Sequence, residues 1–431
     1  VAAKACRRAR LHKDQAMTSK GSGARNRDHN MATRLANAGR DPFAHHGYVN
    51  PPVYHASTLL YSSAEDYIAH RGQYKYGRRG TPTSEALESA LADIEGPQCE
   101  AVALLPSGLA AISAAILSVV RTGDHILVTD SAYGPTRKFC DTILPRYGVT
   151  TTYYDPAVGD GITSLMRPNT VAVFLESPGS LSFEVQDVPA IAAAAHARNA
   201  VVLMDNTWAT PIHFRALEKG VDLSIQSGTK YIGGHSDVML GAVASRNSTW
   251  MHLRETVFEM GLCVGPDDMF LGLRGLRTMG VRLAQHQASG MKVARWLEAR
   301  PETMRVLHPA LESHPGHAIW KRDFTGACGL FSVVFKPAPV EAVHAFLNKL
   351  TLFGIGASWG GFESLAIPFD CTPVRSATRW APGGPTVRFH IGLEDVSDLI
   401  ADLEEGLAAF AATASRSDAS EALGSLKQDH S

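Results

Sequence analysis

Val201-Val202-Leu203-Met204-Asp205 is an apolar run closed by a carboxylate, and Leu223-Ser224-Ile225-Gln226 is a second short run that leads into Ser227-Gly228-Thr229-Lys230. Between them the chain reads as a helix that reaches Glu218-Lys219 and stops at Gly220. Just upstream, Val171-Ala172-Val173-Phe174-Leu175 is another buried strand, and Glu176-Ser177-Pro178-Gly179 is its turn. A helix follows, with Asp187 placed to cap it and Pro189 in its first turn. Short apolar strands joined by helices pack as a parallel sheet covered on both faces. The fold class expected is therefore α/β.

Working outward, Thr83 to Leu91 begins a helix with Leu87, Leu91 and Ile94 on one face, stopped by Gly96-Pro97. Ala101 to Leu105 is a strand, Pro106-Ser107-Gly108 a turn, Leu109 to Val120 a helix and His125 to Thr129 a further strand. Past about residue 265 the pattern changes to a long helix around Arg274 to Ala299, strands at Leu330 to Phe335 and Val387 to Ile391, and a final helix near Val396 to Phe410. This second part reads as a smaller α+β domain. The divisions expected are a basic extension over 1–40, an arm over 41–80, a large α/β domain over 81–265, the smaller domain over 266–412 and a flexible tail over 413–431.

Ligands collect at the carboxyl ends of strands in open α/β sheets, and Ser107-Gly108, Asp205 and Lys230 all fall there. An amine and a carboxylate at neighbouring strand ends suit pyridoxal 5′-phosphate (PLP). Its aldehyde needs a lysine, its ring nitrogen a carboxylate and its phosphate nearby hydroxyls, for which Lys230, Asp205, Ser227 and Thr229 are available. The helix that opens at Gly108-Leu109 adds backbone N–H groups for a phosphate, a weak signal by itself because many such turns bind nothing. An isolated Asp205 would more often be a helix cap or a surface ion pair, but here it ends a wholly apolar strand and needs a partner. No G-x-x-x-x-G-K-[ST] precedes Lys230, so it is not a P-loop lysine. Tyr133 follows a strand and either stacks on a planar ring or packs in the core. Arg388 interrupts an apolar strand and needs an anion, which a substrate carboxylate or an internal Asp would provide. Tyr76-Gly77-Arg78-Arg79-Gly80 reads, taken alone, as a solvated cationic loop.

Composition narrows the class. The 431 residues are 45% hydrophobic and 19% charged, enough for a large core. The run Leu109 to Val120 stops at Arg121, short of the ~20 residues a membrane span needs, and no membrane partner is expected. Cys6, Cys99, Cys140, Cys263, Cys328 and Cys371 form no C-x-x-C pair, so neither a metal site nor a disulfide framework is indicated, and a reducing, cytoplasmic setting fits. Residues 1–40 hold ten Lys and Arg against two acids, leaving 31 bases and 40 acids in the rest. The body of the chain thus has no basic bias towards nucleic acid. With Val1 first and Met17 and Met31 internal, the basic stretch reads as sequence upstream of the start rather than a transit peptide or a nucleic-acid arm. Disorder is expected over residues 1–30.

Tyr76-Gly77-Arg78-Arg79-Gly80-Thr81, Asp205-Asn206-Thr207-Trp208, Ser227-Gly228-Thr229-Lys230-Tyr231, Gly234-His235-Ser236-Asp237, Ser358-Trp359-Gly360-Gly361-Phe362-Glu363-Ser364 and Arg388-Phe389-His390-Ile391-Gly392-Leu393-Glu394 occur in that order. Over roughly residues 40 to 411 the chain resembles the Cys/Met-metabolism family of PLP enzymes, most of all its bacterial cystathionine β-lyases. The resemblance implies PLP-dependent fold type I, the aspartate-aminotransferase-like fold, assembled as a dimer of dimers. It implies Lys230 as the Schiff-base lysine and proton carrier, Asp205 against the ring nitrogen and Tyr133 on the ring. Gly108, Leu109, Ser227 and Thr229 would hold the phosphate, with Tyr76 and Arg78 reaching it from the neighbouring subunit. Ser358 and Arg388 would grip the α-carboxylate of an amino-acid substrate.

The activity implied is α,β-elimination of cystathionine to homocysteine, pyruvate and ammonia, a step of methionine biosynthesis, with a possible cysteine desulfhydrase side activity. Trp359 is similar to the β-lyases, whereas γ-acting members tend to carry Ser-Leu-Gly-Gly-x-Glu-Ser. Phe258 departs from the pattern, standing about where the β-lyases have a tyrosine near the substrate. A γ-synthase, γ-lyase or alliinase-like relative is the alternative. A PLP-binding regulator with little turnover is the alternative from another class.

Overall fold

The computed structural model describes residues 29–428; the disorder expected of residues 1–30 falls outside the described residues except for His29 and Asn30. The strands of the first sheet are β1 (Ala101–Leu105), β2 (His125–Thr129), β3 (Thr150–Tyr154), β4 (Thr170–Glu176), β5 (Val201–Asp205), β6 (Leu223–Ser227) and β7 (Gly241–Ser245), in the order β1-β7-β6-β5-β4-β2-β3. From β6 to β3 neighbouring strands run parallel, and β7 lies antiparallel between β6 and β1. The mostly parallel sheet is as expected, but β3 and β7 were not anticipated. Thr150-Thr151-Thr152 carries no apolar alternation, because β3 is an edge strand.

Alternate side chains of one strand enter different cores, which is how a sheet covered on both faces is built. Val102, Leu104, Val202 and Met204 join one apolar cluster, while Ala103, Leu105 and Leu203 join another on the opposite face. Helix Pro82–Glu95 covers the first, started by a reciprocal Thr81–Ser84 capping box with proline in its first turn, and ended at Gly96 (φ 102°). Helix Gly108–Leu117 covers the second.

A second sheet is antiparallel, formed by β8 (Thr303–Leu307), β9 (Leu330–Phe335), β10 (Leu365–Phe369) and β11 (Thr386–His390) in the order β10-β11-β9-β8. Phe331, Val333, Phe335, Val387 and Phe389 point into a core shared with helices Val340–Lys349 and Val396–Gln428. The last of these helices continues past Phe410, where its end was expected. The opposite face carries Ser332 and, in register with it, Arg388. Ser332 Oγ donates to the Leu181 carbonyl at 2.7 Å, so this face of the small sheet meets the loop that follows β4. Among the described residues no helix is long and apolar enough to cross a membrane, and no group of three or more His, Cys, Asp or Glu is placed to hold a metal ion.

The two units are also tied at Asp130, just beyond β2. Its carboxylate accepts from Ser376 N (3.0 Å), Thr378 N (2.8 Å), Thr378 Oγ1 (2.6 Å) and Arg137 Nη1 (2.9 Å). Burial pushes this carboxyl up, but the bonds from Thr378 and from the N–H groups of residues 376–378 outweigh it and bring the pKa to about 2. The stabilisation is therefore present above the unfolded value near 4 and is lost as pH falls through about 2. Asp130→Ala leaves Arg137 without its carboxylate and is expected to cost about 3–5 kcal/mol near neutral pH. Denaturant titration of the parent and variant at neutral pH and near pH 2 should show that gap and its narrowing by about 2 kcal/mol.

Candidate active site

Parallel β4, β5 and β6 end together, so their last residues line one crevice. Glu176 and Asp205 are register partners, and Ser227 closes β6 two strands from Glu176. Just past β5, Thr207 links two of these ends. Its hydroxyl donates to Asp205 Oδ1 at 2.5 Å and accepts from Ser227 N at 2.8 Å, while its N–H also donates to Asp205 Oδ1 at 3.0 Å. Both bonds to the carboxylate land on Oδ1, and among the described residues Oδ2 has no hydrogen-bond partner. Burial raises the Asp205 pKa, against the pull of the Thr207 bonds and the Lys230 charge. A cation at Oδ2 is what this carboxylate requires.

Lys230 lies beyond Ser227, in a turn where Lys230 N donates to Ser227 O at 3.0 Å. Its Nζ donates to Ser358 Oγ at 2.6 Å and sits 5.4 Å from the Trp359 ring centroid. Burial first, and the Arg388 charge second, lower the amine to about 8, with Asp205 opposing. A lysine poised there exists as neutral amine at mildly alkaline pH and is fitted to move a proton.

Arg388 projects from β11 into the same space and is 5% exposed. The internal Asp considered for it is not what it meets. Nη1 donates to the Ala357 carbonyl at 3.1 Å, and Nη2 to those of Gly356 (3.2 Å) and Ser358 (2.9 Å). Its Nε is buried without a partner. An orphaned, charged donor in a crevice asks for an anion from outside the chain.

The Ser107 turn meets the end of β6 as the strand order requires. Ser107 Oγ caps helix Gly108–Leu117 by accepting from Ala110 N at 3.1 Å. Gly108 touches Ser227 so closely that a Cβ on it would lie 2.5 Å from Ser227 Oγ. Ser227 Oγ has no partner among the described residues, whereas the Thr229 hydroxyl is engaged by both backbone groups of Leu240, at 3.1 and 3.0 Å. Leu109 is exposed beside them.

Tyr133 begins helix Gly134–Thr142, is 45% exposed, and feels Glu176, Asp205 and Arg388, which places it over the crevice. Burial raises its phenol pKa, with Glu176 and Asp205 adding to the effect, so the hydroxyl stays protonated. Its N–H donates to Glu176 Oε2 at 2.7 Å. Glu176 was not among the expected site residues. It ends an apolar strand just as Asp205 does, and that same signal would have found it. Burial and then the Asp205 charge raise its pKa well above the usual carboxylate range.

Tyr76 and Arg78 stand apart from this cluster. Tyr76 is 47% exposed, and Arg78 Nη1 donates to the Phe258 carbonyl. The Arg79 guanidinium lies 5.6 Å from the Phe258 ring, so the basic loop and Phe258 form one unit in the chain.

Residues 32–408 match the family model for Cys/Met metabolism PLP-dependent enzymes. The chain belongs to this family. Its cofactor is accordingly PLP, and the fold is the type I fold expected of it. A Cys/Met-metabolism relative from Rhizobium johnstonii, described as a putative cystathionine beta-lyase, is 51% identical over 384 residues, covering 88% of this chain and 96% of the relative. The cystathionine beta-lyase of Salmonella typhimurium is 46% identical over 392 residues, covering 88% and 99%. The crystal structure of metB from Corynebacterium glutamicum superposes with a TM-score of 0.82 at 32% identity, covering 89% of this chain and 99% of that one. The crevice has the features the family cofactor needs: an unpartnered carboxylate oxygen at Asp205, a lysine of depressed pKa, and a helix N-terminus pressed against a free hydroxyl.

Proposed function

We propose that this Cys/Met-metabolism enzyme is a carbon–sulfur β-lyase that cleaves L-cystathionine to homocysteine, pyruvate and ammonia in methionine biosynthesis, acting in the cytoplasm. The observation that carries the reading is the meeting of Lys230 with Ser358, Trp359 and Arg388, which puts an amine of lowered basicity beside a cation with an orphaned donor. The names of the relatives supply the substrate.

When bound, PLP would supply the aldehyde that takes the substrate amino group and a ring that accepts the charge developing at Cα. Asp205 Oδ2 would accept the ring N–H, and Tyr133 would cover the ring. The N–H groups of Gly108 and Leu109 and the hydroxyl of Ser227 would hold the phosphate; Thr229 shapes that turn through Leu240. Arg388 Nε and Ser358 take the α-carboxylate, which fixes the Cα–H bond towards Lys230. Neutral Lys230 then removes the Cα proton. The Cβ–S bond breaks with its electron pair leaving on sulfur, homocysteine departs as the thiol with the proton that Lys230 took, and water hydrolyses the three-carbon remainder to pyruvate and ammonia. Trp359 beside Lys230 supports cleavage at Cβ.

Tyr76 and Arg78 serve the neighbouring subunit in this reading, and the assembly is a dimer of dimers. Support comes from the arm, where Phe43, Leu60 and Ile68 are 92%, 93% and 76% exposed in the single chain and lack an apolar partner. Phe258, joined to Arg78, goes with it to the neighbour's site. Arg78→Ala and Lys230→Ala proteins, each nearly inactive, should regain about a quarter of parental activity when co-folded in equal amounts, since half the dimers are mixed and each holds one intact site. No recovery would rule out the shared site.

Chromatography of the products from PLP-loaded protein and L-cystathionine tests the activity itself. Homocysteine with pyruvate is expected; cysteine with 2-oxobutyrate would make the enzyme a γ-lyase, and no turnover would overturn the substrate.

A further inference from the structure

Arg388 and His390 lie two residues apart on β11 and leave the same face of the strand, whereas Val387 and Phe389 turn into the core. Both hold the loop over residues 356–361. Arg388 engages the carbonyls of residues 356–358, as described above. His390 is fully buried, and its Nε2 lies 3.1 Å from Gly360 N and 3.1 Å from Gly361 O. One nitrogen either accepts from Gly360 or donates to Gly361, so each neutral tautomer ties the loop through one of these two adjoining residues.

The tethered segment touches the reactive lysine. Gly360 has φ +87°, and a Cβ on it would stand 3.0 Å from the Cα, carbonyl carbon and Cβ of Lys230. Ser358 and Trp359, just before it, make the contacts to Lys230 Nζ. A carboxylate arriving at Arg388 competes for the guanidinium that now steadies residues 356–358. The imidazole is outside that competition.

We infer that His390 is a positioning residue for the β-lyase site, holding Gly360 and Gly361 so that Ser358 and Trp359 keep their places at Lys230 while Arg388 turns to the substrate carboxylate. This rests on the reading of Arg388 given under the proposed function. His390 cannot swing away, because the His286 ring lies 5.2 Å and the Tyr231 ring 6.2 Å from it, and Tyr231 packs in turn on Trp359 at 5.5 Å. His286 is itself anchored through Nδ1 to the Ile391 carbonyl at 2.8 Å. Burial first, and the neighbouring His286 second, bring the His390 pKa to about 3, so the ring is a neutral strut throughout the working range.

His390→Phe keeps the ring volume and removes the bond, while His390→Gln returns a polar atom near the place of Nε2. In the phenylalanine variant KM for the amino-acid substrate should rise about tenfold with kcat changed much less. Hydrogen exchange of the peptide covering residues 356–363, followed without substrate, should quicken in step. The glutamine variant should recover both. If His390→Phe fails to fold, Gly360→Ala, which forces the loop off Lys230 with His390 intact, must show the same rise in KM. Parental KM and exchange in His390→Phe, a glutamine variant no better than phenylalanine, or an unaltered KM in Gly360→Ala would each overturn the assignment. Faster exchange in His390→Phe beside a parent enzyme inactive on L-cystathionine would sink the proposed substrate and still support the positioning role.

Discussion

Lys230→Ala is expected to lose turnover by about 10²–10⁴-fold or more, the range that a positioned general base contributes. The amine is the group in the crevice whose pKa falls to about 8, and it touches Ser358 Oγ at 2.6 Å. No neighbour can replace it, because the Tyr133 phenol is driven up and Arg388 remains a cation. In the parent enzyme the rate should climb as pH passes about 8 and level off above it, since the neutral amine is the active form. Steady-state pyruvate release across a pH series measures both effects. Full activity in the alanine variant would remove Lys230 from the mechanism.

Arg388→Ala should raise KM for the amino acid on the order of a hundredfold or more, the loss typical when one partner of a buried charged contact is deleted. It also strips the carbonyls of residues 356–358 of their donors, so kcat should fall as well. Arg388→Lys is expected to restore little, because an ammonium on a flexible stem lacks the planar five-donor fork that meets the loop carbonyls and a carboxylate. An unchanged KM in the alanine variant would assign the carboxylate to another group.

The convergence of Asp205, Ser227 and Lys230 was legible because parallel strands joined by helices bring their ends together by topology alone. Gly108 followed from the same rule, through the helix that its turn opens. What escaped were contacts that depend on register and on remote chain. β7 needed a return strand with a small-residue sequence, Gly241-Ala242-Val243-Ala244-Ser245, that carries no alternation. In the smaller sheet, β8 is interrupted by the exposed Met304 and Arg305, and β10 contains Pro368, which disguised both strands. Arg388 was recognised as anomalous in its strand, but carbonyls of a glycine-containing loop some 30 residues away could not be read as its partners. Thr207 belongs to the same class, since a hydroxyl that bridges two strand ends leaves no periodic trace.

The antiparallel return of β7 between β6 and β1 has a consequence for the growing chain. The last strand of the first sheet is synthesised when Ser245, the partner of Ala101, has been added, and by then Asp205, Ser227 and Lys230 are all in the chain. Arg388 and the loop it steadies are translated more than 100 residues later, on the order of ten seconds at ordinary ribosomal speeds. Through that interval the nascent polypeptide carries Gly108, Ser227 and its lysine without the part that grips an amino acid. The order of synthesis therefore separates in time the two halves of a site that the finished molecule presents as one.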